Sequence, residues 1–182
     1  VLFENIGLDE NNEPLWSLLD DSYLGEELGN NLSPVTVDID SDNDFDLFIG
    51  NFNGTIQFFE NIGDEENPIH EFVELLPDID LSGYSSPEFV DVDSDQDYDL
   101  LVGNMDGNIF FYENIGDMYN YNFQLSDANF QNIDVETRSM PLGYDYDYDG
   151  DMDLLIGSGR NGISFYENIG SFNFSYNESK SI

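Results

Sequence analysis

The chain has 182 residues and is 40% apolar, with 40 acidic residues against three basic ones, Arg138, Arg160 and Lys180, for a formal charge of −37. That length buries a core in one domain, and the apolar content excludes a disordered acidic tail. The charge repels phosphate backbones and anionic membranes, so nucleic acid and direct membrane insertion fall out as partners; no cysteine exists for a disulfide, a zinc–thiolate site or a thiol nucleophile; and no stretch approaches the ~20 apolar residues of a bilayer span.

Reading from Val1, which carries neither a methionine nor a signal-peptide pattern, we expect a mature fragment or excised region of a longer protein. The first distinctive word is FENIG at 3–7. It returns as FENIG at 59–63, YENIG at 112–116 and YENIG at 166–170, in steps of 56, 53 and 54 residues. Residues 1–31 thus read as the second half of one repeat. Trp16, in EPLWSLL, is expected to fill core, with a sugar-stacking platform as the alternative.

Three further repeats follow at 32–84, 85–138 and 139–182. Each opens on serine and proline (Ser33-Pro34, Ser86-Pro87, Ser139 with Pro141) and a short strand entering an acidic run. The runs are DIDSDNDFDL from Asp38, DVDSDQDYDL from Asp91 and DYDYDGDMDL from Asp145. A second strand leaves each run (Leu47 to Gly50, Leu100 to Gly103, Leu154 to Gly157). Tight turns at Asn53-Gly54, Asp106-Gly107 and Asn161-Gly162 accept the positive φ of a hairpin. A third strand comes next (TIQFFE, NIFFYE, GISFYE), and a fourth is expected around HEFVEL and YNFQLS.

The third strand is apolar on both faces, Ile56 and Phe58 pointing one way and Phe59 the other, with Ile109, Phe111 and Tyr112 repeating the scheme. Such a sheet must be covered twice. The expected fold is all-β: β-propeller blades of four-stranded antiparallel sheets, about three and a half in this chain, within a larger propeller continuous with further blades or domains. A β-sandwich or a solenoid of hairpins is the alternative.

Three readings compete for the acidic runs. As an ordinary strand, five like charges would lie ~7 Å apart on one side, each pair costing roughly 0.6 kcal/mol in water, and the intervening positions would be apolar rather than Ser41, Asn43, Ser94 and Gln96. A solvated acidic loop leaves the thrice-repeated spacing unexplained. A cation site explains it, because Ca²⁺ takes roughly six to eight oxygens and a wrapping loop offers alternate side chains. The twelfth position is Ile49, Val102 or Ile156, so this is no EF-hand, and the shell must close at position nine.

The pattern D-x-D-x-D-x-x-x-D-L-hydrophobic-hydrophobic-G, followed by N-x-x-G and ENIG, resembles the FG-GAP or VCBS repeats, whose blades also build the head of integrin α subunits. The resemblance spans nearly the whole chain. It implies a β-propeller with Ca²⁺ at three sites, one loop per blade, in secreted or surface-attached adhesion and ligand-binding proteins. The implied side-chain ligands are Asp38, Asp40, Asp42 and Asp46; Asp91, Asp93, Asp95 and Asp99; and Asp145, Asp147, Asp149 and Asp153. Backbone carbonyls would come from Asp44, Asp97 and Asp151. The family's glycines at the fourth and sixth loop positions survive only as Gly150, and Gln96 is the least suited to a left-handed bend, so the second loop is expected to bind most weakly.

The expected function is a calcium-binding, non-catalytic, extracellular module that binds a protein or glycan ligand. The alternatives are the propeller of an extracellular enzyme, such as a polysaccharide lyase or phospholipase, and a structural spacer. His70, the only histidine, lacks a catalytic neighbour and reads as a surface or packing residue. Arg160 reads as a solvated turn. Asn31, Asn53, Asn173 and Asn177 fit the N-glycosylation pattern. The tyrosines of YDYDYD are expected to pack between blades.

Overall fold

The computed structural model describes residues 2–20, 22–25, 28–76, 79, 81, 83–169 and 174–176. An N-terminal hairpin pairs β1 (Leu2–Leu8) with β2 (Pro14–Asp20). The first full sheet comprises β3 (Ser33–Val37), β4 (Asp46–Gly50), β5 (Ile56–Asn61) and β6 (His70–Leu75). The second comprises β7 (Ser85–Val90), β8 (Asp99–Asn104), β9 (Ile109–Asn114) and β10 (Phe123–Asp127). The third comprises β11 (Ser139–Tyr144), β12 (Asp153–Ser158), β13 (Gly162–Asn168) and β14 (Phe174–Tyr176). Each is an antiparallel meander in chain order, so the expected all-β architecture of four-stranded sheets holds. No helix among the described residues is long and apolar enough to cross a membrane.

The strands form where β-branched and aromatic residues concentrate. They start one residue earlier than the apolar run, because the last aspartate of each acidic run joins the ladder: Val37 pairs with Asp46, Val90 with Asp99 and Tyr144 with Asp153. The turns between second and third strands place Gly54, Gly107 and Gly162 at φ of +87°, +94° and +81°, where a side chain would be strained.

Both faces of the third strand are used. Ile56 and Phe58 join Phe48, Phe89, Leu100 and Val102 in a core between the first and second sheets. Phe59 turns to the other side, with Leu47 and Ile49 under Leu24 and Leu28. A second inter-sheet core gathers Leu101, Ile109, Leu154 and Ile156, plugged by Phe130, Ile133 and Val135 from the 128–138 connection. Phe111 and Tyr112 likewise divide between the two cores.

The sheets stack through a joint used twice. A Cβ on Gly50 would lie 2.2 Å from the Ser85 carbonyl oxygen and 2.7 Å from Pro87 Cδ; on Gly103 it would lie 2.2 Å from the Ser139 carbonyl oxygen and 2.9 Å from Pro141 Cδ. The glycine closing each apolar strand is therefore the floor on which the next sheet's first strand rests. A hydroxyl completes the joint: the Asn51 amide donates to Ser85 Oγ at 3.0 Å, and Ser85 Oγ donates to the Thr55 carbonyl at 2.8 Å. Ser139 repeats this with the Asn104 amide at 2.9 Å and the Asn108 carbonyl.

Two packing expectations are corrected. Trp16 is 60% exposed rather than core, because nothing among the described residues covers its face of the hairpin. The YDYDYD tyrosines do not pack between sheets: Tyr148 is 81% exposed, Tyr144 is exposed, and Tyr146 is exposed and lies tilted against Phe165 of its own sheet, ring centroids 4.9 Å apart. Among the described residues no further sheet covers the outer face of the third to receive them.

Candidate metal centres

Each acidic run folds as a tight loop between the first and second strands of a sheet. In the first loop, the Asp38 carboxylate accepts from the amides of Asp42 and Asn43, each at 3.1 Å, and Asp42 accepts from the amide of Asp44 at 3.0 Å. The second loop repeats the wiring, Asp91 to Asp95 and Gln96 at 3.2 and 3.1 Å and Asp95 to Asp97 at 3.1 Å. In the third, Asp145 accepts from Gly150 at 3.3 Å and Asp149 from Asp151 at 3.2 Å. These bonds curl the chain so that alternate carboxylates face inward.

Curling demands left-handed backbone at the fourth and sixth positions, where the repeat departs from glycine. Ser41 and Asn43 have φ of 59° and 74°, Ser94 and Gln96 61° and 79°, and Tyr148 and Gly150 64° and 97°. Five of these six positions carry side chains in a region that disfavours them by roughly 1–2 kcal/mol each, less for asparagine.

The curl brings three carboxylate groups in each loop within 4.8 Å of one another: Asp38, Asp40 and Asp42; Asp91, Asp93 and Asp99; and Asp145, Asp147 and Asp153. Asp46, Asp95 and Asp149 stand outside these triads, as do the seventh-position residues Asp44, Asp97 and Asp151. Those last three nevertheless turn side chains inward. Each keeps a buried Oδ1 with no hydrogen-bond partner, as does Asp145. Asp44 and Asp97 are each only 7% exposed. A buried carboxylate oxygen without a donor costs free energy unless a cation meets it. The oxygen-only donor set is that of a hard divalent ion such as Ca²⁺, so the residues present fit the group.

The proton affinities point the same way. Burial, reinforced by Asp95, pushes Asp97 up to about 6, and burial with Asp149 pushes Asp151 to about 6. Burial raises Asp40, Asp93 and Asp147, aided by Asp42, Asp95 and Asp149 respectively. Asp44 is raised by burial and then by Asp42. Without a counter-charge these particular carboxyls hold a proton more tightly than a free aspartate does.

The ninth aspartate has a second task. Asp46 Oδ1 accepts from the Asn61 amide at 2.8 Å and Oδ2 from Ile39 at 3.4 Å; Asp99 accepts from Asn114 at 2.8 Å and Val92 at 3.0 Å; Asp153 accepts from Asn168 at 2.8 Å and Tyr146 at 2.9 Å. Burial lifts Asp46 to about 6 and Asp99 to about 7 against these bonds. The asparagines are those of ENIG. Asn61 Oδ1 accepts in turn from Gly63 at 3.1 Å and Ile69 at 2.8 Å, and Asn114 Oδ1 from Gly116 and Asn122 at the same distances. The two repeated words are thus one bonded unit that runs from acidic loop to the corner before the fourth strand.

That unit was visible in the sequence only as two motifs with a constant offset. In the second repeat the residue matching Ser139 is Ser85, while Ser86 meets Ser33 Oγ at 3.0 Å. His70, read as a surface or packing residue, is half-buried and bridges two segments. It accepts from the Tyr23 hydroxyl on Nδ1 at 2.6 Å and donates from Nε2 to the Phe45 carbonyl at 3.1 Å. Arg160 is exposed, as are Asn31 and Asn53, while Asn173 and Asn177 lie outside the described residues.

Fold and loops together define an all-β repeat protein with three acidic clusters able to hold metal ions. Set against known families, curated proteins and solved structures, the chain matches none of them.

Proposed function

We propose that the chain is a calcium-binding β-propeller module of the FG-GAP kind, its three full sheets serving as blades of a non-catalytic extracellular protein that binds a protein or glycan ligand. The observation that carries this reading is the inward, buried and unpartnered carboxylate oxygen of Asp44, Asp97 and Asp151, each beside a triad of neighbouring acids. Solvated acidic loops would turn those oxygens to water.

The extracellular part of the proposal rests on the affinity such loops would have. With a dissociation constant near 0.1 mM, as in extracellular modules, about 1 mM calcium adds roughly 1.4 kcal/mol per site. Cytosolic calcium adds almost nothing. The test is titration calorimetry with calcium and with magnesium, beside thermal melts in calcium and in chelator. The proposal expects a calcium-selective stoichiometry of three and a melting temperature that falls in chelator; a melt indifferent to the chelator overturns it.

A further inference from the structure

We propose that the cleft where the 128–138 connection crosses the third sheet is a binding site for a neutral saccharide. The idea deepens the ligand-binding reading above and rests on it, but not on the acidic loops, which form no part of the cleft.

The cleft encloses about 450 Å³, within the ~300–1,000 Å³ of small-ligand sites. Its polar lining comes from Gln131, Asn132, Asp134, Glu136 and Asn161, with Tyr166 at its side. None of the residues that line it is basic, and Arg138, on the same connection, is turned onto the Tyr84 ring, 4.7 Å from its centroid. Two carboxylates without a cation repel phosphates, sulfates and uronates. A simple cation uses only the acceptors of such a lining, whereas its carboxamides supply donors as well. Vicinal hydroxyls use both, and the half-buried Tyr166 adds aromatic surface to the lining, which suits the carbon face of a sugar.

The polar groups are set in advance. Asp134 Oδ1 accepts from the Glu136 amide at 2.7 Å, and Asn161 Nδ2 donates to Glu136 Oε2 at 2.8 Å, which ties the connection to the turn of the third sheet. The backbone that presents them is strained. Gln131, Asn132, Glu136 and Arg138 have φ of 53°, 57°, 69° and 50°, none of them glycine. Four left-handed side-chain-bearing residues in eight positions cost roughly 1 kcal/mol or more each, and strain of this kind gathers where side chains must be aimed. Meanwhile Phe130, Ile133 and Val135 anchor the connection in the core, so the aim is held rigidly.

The experiment is saturation-transfer NMR on the whole chain with cellobiose, maltose, lactose and N-acetylglucosamine, run in calcium and again in chelator, with spermidine as a cationic control. Binding of at least one neutral sugar is expected. Asn161→Ala and Glu136→Gln, both folded by their melts, should weaken it roughly tenfold or more, as loss of a hydrogen-bonding partner does. No transfer from any neutral sugar, transfer from spermidine alone, or affinity unchanged in both variants overturns the proposal. The melting shift between calcium and chelator in the same samples reports separately on the metal reading, so the two fail independently.

Discussion

The N-terminal hairpin and the second sheet contain the same ENIG word, yet their fates are opposite. All six residues of β8 are buried, and β9 alternates between two cores. In the hairpin, Phe3, Ile6, Leu8, Trp16, Leu18 and Leu19 are all more than half exposed. Sequence decides that each segment becomes a strand; a neighbour on either face decides whether the strand becomes core. Apolar pattern alone therefore predicts pairing better than burial.

The largest effect should separate these regions by mutation. Leu101 is fully buried, so Leu101→Ala should cost about 2–5 kcal/mol in urea unfolding, whereas Trp16→Ala should cost under about 0.5. Equal losses would mean the hairpin packs as tightly as the second sheet. The joint offers a sharper contrast at constant chemistry. Gly103→Ala drives a methyl into the Ser139 carbonyl and should cost near the top of the roughly 1–3 kcal/mol of overpacking. Gly157→Ala, whose nearest neighbour is the movable Met140 Cε at 3.3 Å, should cost under about 0.5 kcal/mol.

Metal and acid come next. Because Asp46, Asp97, Asp99 and Asp151 have folded-state values near 6 to 7, above the ordinary 3.8, they favour folding most below pH ~4 and lose that contribution as pH rises through 6 to 7. In chelator the melting temperature should fall between pH 5 and pH 8. Calcium should reverse the trend, its stabilisation being larger at pH 8, with roughly 1.4 kcal/mol per site near 1 mM. A calcium shift independent of pH would detach these carboxyls from the ion. The smallest effect concerns the loops themselves: Gln96→Gly should relieve a φ of 79°, add about 0.5–1 kcal/mol and raise the calcium affinity of the second loop. Gly150→Gln should do the reverse in the third.

Much of this was legible because repetition amplifies weak signals. The places of the strands and the hairpin glycines could be read from three aligned copies, and the bent fourth and sixth loop positions from the resemblance to FG-GAP repeats. What escaped were contacts between copies. No pattern within one repeat tells that Gly103 abuts Ser139, that Glu88 Oε1 accepts from the Gly143 amide at 2.9 Å, or that Trp16 lacks a cover. The 128–138 connection was also missed, since its left-handed residues are Gln, Asn, Glu and Arg and carry no glycine to announce them.

The joint between sheets has a meaning for growth. In the second sheet its two halves sit on opposite sides, Gly103 on the leaving side and Ser85 with Pro87 on the arriving side, so a tandem copy of that unit brings a compatible connector at both ends. Arrays of this kind lengthen by duplication without inventing any new surface. Leu32 stands where Ser85 and Ser139 stand in the later copies, so the arriving side of the first sheet brings no hydroxyl at that position.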